Sequence, residues 1–154
     1  MNDRQSIIRM LARKLGVYLA AVAVTYMLAS TTATQSVVSS LQGMGIELSL
    51  AERLGMTVRD LVGMAGMFLP LIAFGFLIAF LVTALICHWW DRWRTPLYVL
   101  AGAVAIAAIH VALNLAFQIT PVAIARSTSG LLVQAVAGAV GGYTYALLSR
   151  QTRY

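Results

Sequence analysis

The sequence is short of charge. Only 10% of its 154 residues are Asp, Glu, Lys or Arg, against about a quarter in an ordinary soluble domain. Acids are the scarcest, with five Asp and Glu against eleven Lys and Arg. So few charges cannot coat a surface facing water, which excludes a soluble globular domain. A 60% hydrophobic content and a mean hydropathy of +0.84 exclude a disordered chain. One cysteine, Cys87, excludes an internal disulfide and a cysteine zinc cluster. Its place at the end of an apolar run suits a small buried hydrophobe. None of the acids, Asp3, Glu47, Glu52, Asp60 and Asp91, lies within a candidate span, so a carboxylate proton relay is missing. HExxH, GxSxG, a glycine-rich phosphate loop and CxxC are missing too. These absences argue against an enzyme and give no grounds for a metal or other cofactor. The net charge of +6 sits in short clusters between apolar runs, a placement that orients a membrane protein rather than binding nucleic acid.

What the chain does have is uninterrupted apolar length. Leu15–Ile46, Leu61–Trp90, Thr95–Ala125 and Ser127–Ser149 contain no Asp, Glu, Lys or Arg. Each exceeds the ~20 residues that carry a helix across ~30 Å of hydrocarbon. The expectation is an all-α, polytopic membrane protein. It is a single domain over 1–154, with four transmembrane helices at about 14–34, 64–88, 96–118 and 129–148. Arg4, Arg9, Arg13, Lys14, Arg92, Arg94, Arg150 and Arg153 then fall on one side, and Arg53, Arg59 and Arg126 on the other. This bias places both termini in the cytoplasm. Trp89, Trp90 and Trp93 mark the inner headgroup level, and Tyr98, Tyr143 and Tyr145 approach it. The first span also has features of a cleaved signal peptide: a basic start, an apolar core, and small residues at Thr31 and Ala33. The length of its apolar run argues for a retained helix.

The outer connection, about 35–60, is the least lipid-like segment. Gly43 and Gly45 break the first helix, and Ser49-Leu50-Ala51-Glu52 is a capping-box pattern. It predicts a short amphipathic helix between helices 1 and 2, with Leu50, Leu54 and Val58 on one face. Thr57-Val58-Arg59-Asp60 is a second cap-like pattern leading into Leu61. Pro70 lies inside the second helix and should kink it.

Helices in lipid associate through small residues. The fourth helix has them at Ala135, Gly138, Ala139 and Gly142, with GxxxG spacing between the two glycines. The face they form packs against another helix of the same chain or against a second subunit. The third helix offers Ala101, Gly102, Ala105 and Ala108 as an internal partner.

His110, Asn114 and Gln118 recur every four residues and share one face of the third helix. His110 is ~21 Å from Pro96, in the outer half of the bilayer. Gln134 lies near the same depth on the fourth helix. Polar groups at such a depth serve as interhelical glue or line a pocket. His88 sits at the inner boundary, too far from His110 for the two to share a haem. Ser127, Thr128 and Ser129 read as a helix cap rather than a nucleophile. The two halves of the chain show no internal repeat of the transporter kind.

The expected partner is the lipid bilayer of a bacterial inner membrane. The fourth helix offers a face for a homo-oligomer or a membrane-complex partner. The expected role is a non-enzymatic accessory or assembly subunit. The alternative is a small oligomeric carrier or channel, or a lipid- or quinone-binding protein, built around His110, Asn114, Gln118 and Gln134.

Overall fold

The computed structural model describes residues 2–117 and 128–150. Among these residues four α-helices follow one another: α1 (Asn2–Gly43), α2 (Leu50–Cys87), α3 (Arg94–Phe117) and α4 (Thr128–Arg150), with a 3-10 turn, Asp91–Trp93, leading into α3. No strand occurs among the described residues. Leu50–Cys87, Arg94–Ala116 and Thr128–Arg150 are long and apolar enough to cross a membrane. Gln118, Arg126, Ser127 and Arg153, named above, lie outside the described residues.

The helices form a ring of neighbours in which α1 packs on α2 and α4, and α3 packs on α2 and α4. Each turns a narrow stripe inward. Along α2 the buried residues are Phe68, Ile72, Phe76, Phe80, Thr83 and Cys87, at the three- and four-residue steps of one helix face. The stripe of α1 is mostly small residues, including Ala21, Thr25, Ala29 and Ala33, with Tyr26 among them. Large apolar side chains such as Leu81, Leu85, Leu100 and Leu115 point outward. That outward display fits a solvent of lipid tails.

Two details where α1 leads into α2 differ from the sequence pattern. First, α1 runs past the expected end of its span near residue 34, through the expected connection, and stops where the glycines break it, at Gly43. Its hydroxyls are absorbed locally. Thr32 donates to the Leu28 carbonyl (2.8 Å), Thr34 to Ser30 (3.1 Å) and Ser40 to Ser36 (3.0 Å). The polar side chains therefore do not compete with the helix ladder. The helix closes where the amides of Gly45 and Ile46 return to the carbonyls of Gln42 and Leu41. Gly45 takes φ +82°, which side-chain-bearing residues rarely adopt.

Second, no separate amphipathic helix stands between α1 and α2. Ser49 does form a full capping box with Glu52, but the helix it opens is α2 itself, running unbroken to Cys87. The cap-like Thr57 is spent within the helix, its hydroxyl donating to the Arg53 carbonyl (2.9 Å). Nothing between Ser49 and Pro70 then obliges the chain to stop, and Pro70 itself is accommodated inside α2. The outer connection shrinks to residues 44–49.

Candidate functional site

α3 and α4 approach until their backbones touch. A methyl group built on Gly102 would lie 2.1 Å from the Gly138 carbonyl oxygen, and one on Gly142 would lie 2.0 Å from that of Tyr98. Gly141 turns the other way, towards Thr25 and Ala21 of α1 and Phe76 of α2. Ala135 and Ala139 are partly buried beside this seam. Only glycine permits the approach, and it brings polar side chains of three helices into the same interior.

The Gln134 side chain crosses from α4 to α1. Its Nε2 donates to the Ala29 carbonyl (3.0 Å) and lies 3.4 Å from Thr32 Oγ1. Its Oε1 is buried without a hydrogen-bond partner. His110 lies beside it, 3% exposed, and neither Nδ1 nor Nε2 is bonded. Ser30 Oγ, next along α1 from Ala29, is a fourth buried atom with no well-formed hydrogen bond, the Tyr26 side chain being its nearest candidate. Apolar walls enclose the group: Phe68 of α2 is 5.7 Å from the His110 ring, and Tyr26 of α1 is 6.5 Å from Phe68. A buried polar atom left unbonded costs about 1–3 kcal/mol. The three atoms of His110 and Gln134 lie side by side, so among the described residues this is where buried hydrogen bonds are least well made.

The structure thus brings His110 and Gln134 together and separates Asn114 from them. Asn114 is exposed, because a four-residue step advances 40° around the helix and α3 faces outward by that turn. Gln118 is outside the described residues. Ser30 joins the cluster although its sequence neighbourhood is a row of similar hydroxyls; the signal is its register with Tyr26 and Ala33 on the inward stripe of α1.

Polar ties close both ends of the bundle. At the end where α1 leads into α2, Thr34 donates to Asp60 (2.9 Å), Gln35 faces Thr57 (3.4 Å), and Arg53 reaches Gln35 (3.5 Å). Tyr26 and Tyr18 donate to the Leu61 and Ala73 carbonyls of α2. At the other end Arg94 is buried; it donates to Ser149 Oγ (2.6 Å) and the Ala146 carbonyl (3.3 Å), with its guanidinium 5.3 Å from the Tyr98 ring centre. A charge placed among the loop residues by its sequence position is therefore a strut between α3 and α4.

Chemically the central cluster offers hydrogen bonds and little else. No group of three His, Cys, Asp or Glu among the described residues could hold a metal ion. No known protein family matches the chain, and neither does any curated protein or solved structure.

Proposed function

We propose that the protein is an integral protein of a bacterial inner membrane, with four transmembrane helices and both termini cytoplasmic, acting as a non-enzymatic accessory or assembly subunit. Helix α1 is read as the fourth span because it lies alongside α2 and α4 and carries no charge from Leu15 to Ile46. One observation supports the accessory role above others. α2 has 38 residues and is ~57 Å long, against ~30 Å of hydrocarbon. Its first four turns, to about residue 63, therefore stand in the outer aqueous space. On them Leu50, Leu54, Val58 and Val62 form an exposed ridge at four-residue spacing. Gly55 and Gly63 leave open backbone beside it, in a shallow groove of ≈ 720 Å³ that Arg59 also lines. An apolar ridge held out of the lipid, next to backbone that another helix can approach, is suited to docking a protein. On this reading the segment projects from the outer leaflet instead of lying on it.

A second reading draws on the unbonded atoms of His110, Gln134 and Ser30. A small polar solute entering between α1, α3 and α4 would satisfy them, which is the geometry of a carrier, channel or lipid-headgroup site.

A photo-crosslinking residue at position 58, compared with one at lipid-facing Leu81, separates the two. The accessory role predicts a discrete protein adduct from position 58 alone, lost when Leu54→Arg is introduced. Lipid adducts at both positions, together with a growth defect in His110→Leu cells at unchanged protein abundance, would instead favour the second reading.

A further inference from the structure

The two ends of α1 outlast the bilayer in different ways. The helix has 42 residues and is ~63 Å long, about twice the hydrocarbon thickness. Its outer extension is polar and is clasped by α2 through Asp60 and Thr57. Its inner extension stands clear of the bundle: every residue from Arg4 to Gly16 is exposed.

That extension is two-sided. Ile7, Ile8, Leu11 and Leu15 fall on one side of the helix, and Gln5, Arg9 and Arg13 form a row on the other. Arg4 and Lys14 stand at the two ends of the apolar stripe, where long stems can lie along it with their charges at its rim. A helix continuing straight out of the bundle would hold Ile8, 64% exposed, and its neighbours in water. The stripe is also continuous with the lipid-facing side of the span, since Leu11, Leu15 and Leu19 are exposed at four-residue spacing.

We propose that residues 4–15 form an interfacial helix lying on the cytoplasmic leaflet, bound to anionic phospholipid headgroups, with the chain turning into the membrane at Gly16. Four basic residues and no acid in this segment, with only Asp3 just before it, supply the charge complementarity. They also disfavour a second copy of the same helix as the occupant, because like charges would meet. Gly16 has no neighbour within 4 Å of a built methyl group and is the weakest helix former at the boundary. The inference rests on α1 crossing the membrane with its basic end inside.

The test uses the full-length chain in a Cys87→Ala background, with single spin labels at Gln5→Cys, Ile8→Cys and Ala23→Cys. The proteins are placed in discs of phosphatidylcholine, with or without phosphatidylglycerol. The label at position 23 should collide freely with oxygen and be shielded from a water-soluble nickel chelate, as for a mid-span site. With phosphatidylglycerol present, position 8 should also favour oxygen while position 5 favours nickel. Arg9→Gln with Arg13→Gln should abolish that contrast, leaving position 23 unchanged. A mid-span signal at 23 with nickel access at both 5 and 8 overturns the interfacial helix alone. Shielding of position 8 from both reagents overturns it in favour of a protein cover. Nickel access at 23 overturns it together with the transmembrane reading of α1.

Discussion

Gly102, Gly138 and Gly142 show how much of this interior depends on missing atoms. An ideal methyl group on Gly138 would sit 2.3 Å from the Gly102 carbonyl oxygen, so Gly138→Ala forces α3 and α4 apart. We expect it to destabilise the protein by about 1–3 kcal/mol, as overpacking does elsewhere. Gly63→Ala, where nothing lies within 4 Å, should be neutral or stabilising by about 0.5–1 kcal/mol. Unfolding titrations in mixed micelles measure both, and equal effects would refute the backbone-contact account. The polar cluster gives a second contrast. His110→Leu removes two buried unbonded nitrogens and is expected to leave stability unchanged or raise it. Gln134→Leu discards the bond to the Ala29 carbonyl and should cost about 0.6–1 kcal/mol. A clear loss of stability in His110→Leu would mean that the imidazole is bonded in the membrane, to Gln134 beside it or to a group from outside the chain. These two side chains are visible in the sequence as polar residues in apolar runs. The exposure of Asn114 is not, because the spacing does not say how wide the covered stripe of α3 is, and Asn114 lies 40° around the helix from His110.

Among the elements, α2 carries the main lesson about local signals. The capping box at Ser49 is readable from four letters, and Ser49 Oγ accepts from the Glu52 amide (3.3 Å) while the Ser49 amide donates to Glu52 (2.8 Å). A cap fixes where a helix begins and says nothing of how far it runs. The length of α2 is decided further along the chain, where Thr57 bonds within its own helix and the face from Phe68 to Cys87 packs continuously. Ser49→Ala should therefore cost about 1 kcal/mol and show its effect locally. Amide exchange should speed up over residues 50–57 and stay unchanged from Phe68 onward. Acceleration along the whole of α2 would mean that the projecting turns and the buried ones open as one unit. The close approach of α3 and α4 is half legible in the same sense. The Gly138–Gly142 spacing is plain in the sequence, but the choice of α3 rather than a second chain depends on Gly102 and Tyr98 arriving at the matching height.

For the molecule as a whole, composition makes the strongest statement, since sixteen charged residues cannot clothe this chain in water. Orientation is a separate matter, carried by where those charges fall. The basic N-terminus, the Arg92–Arg94 corner and Arg150 are brought to one end by an even number of crossings only if α1 is itself a span. Three crossings alone would put residues before α1 and residues after it on the same side. Thiol labelling tests the count directly in the Cys87→Ala background. Met44→Cys, in the exposed turn after α1, should react with an impermeant maleimide added to intact spheroplasts. Arg4→Cys and Arg92→Cys should react only after permeabilisation. Reaction of positions 4 and 44 from the same side would remove α1 from the membrane. It would leave a three-span protein whose longest helix lies along the surface, and the hairpin ties from Thr34 to Asp60 would then have to hold α2 against a helix outside the lipid.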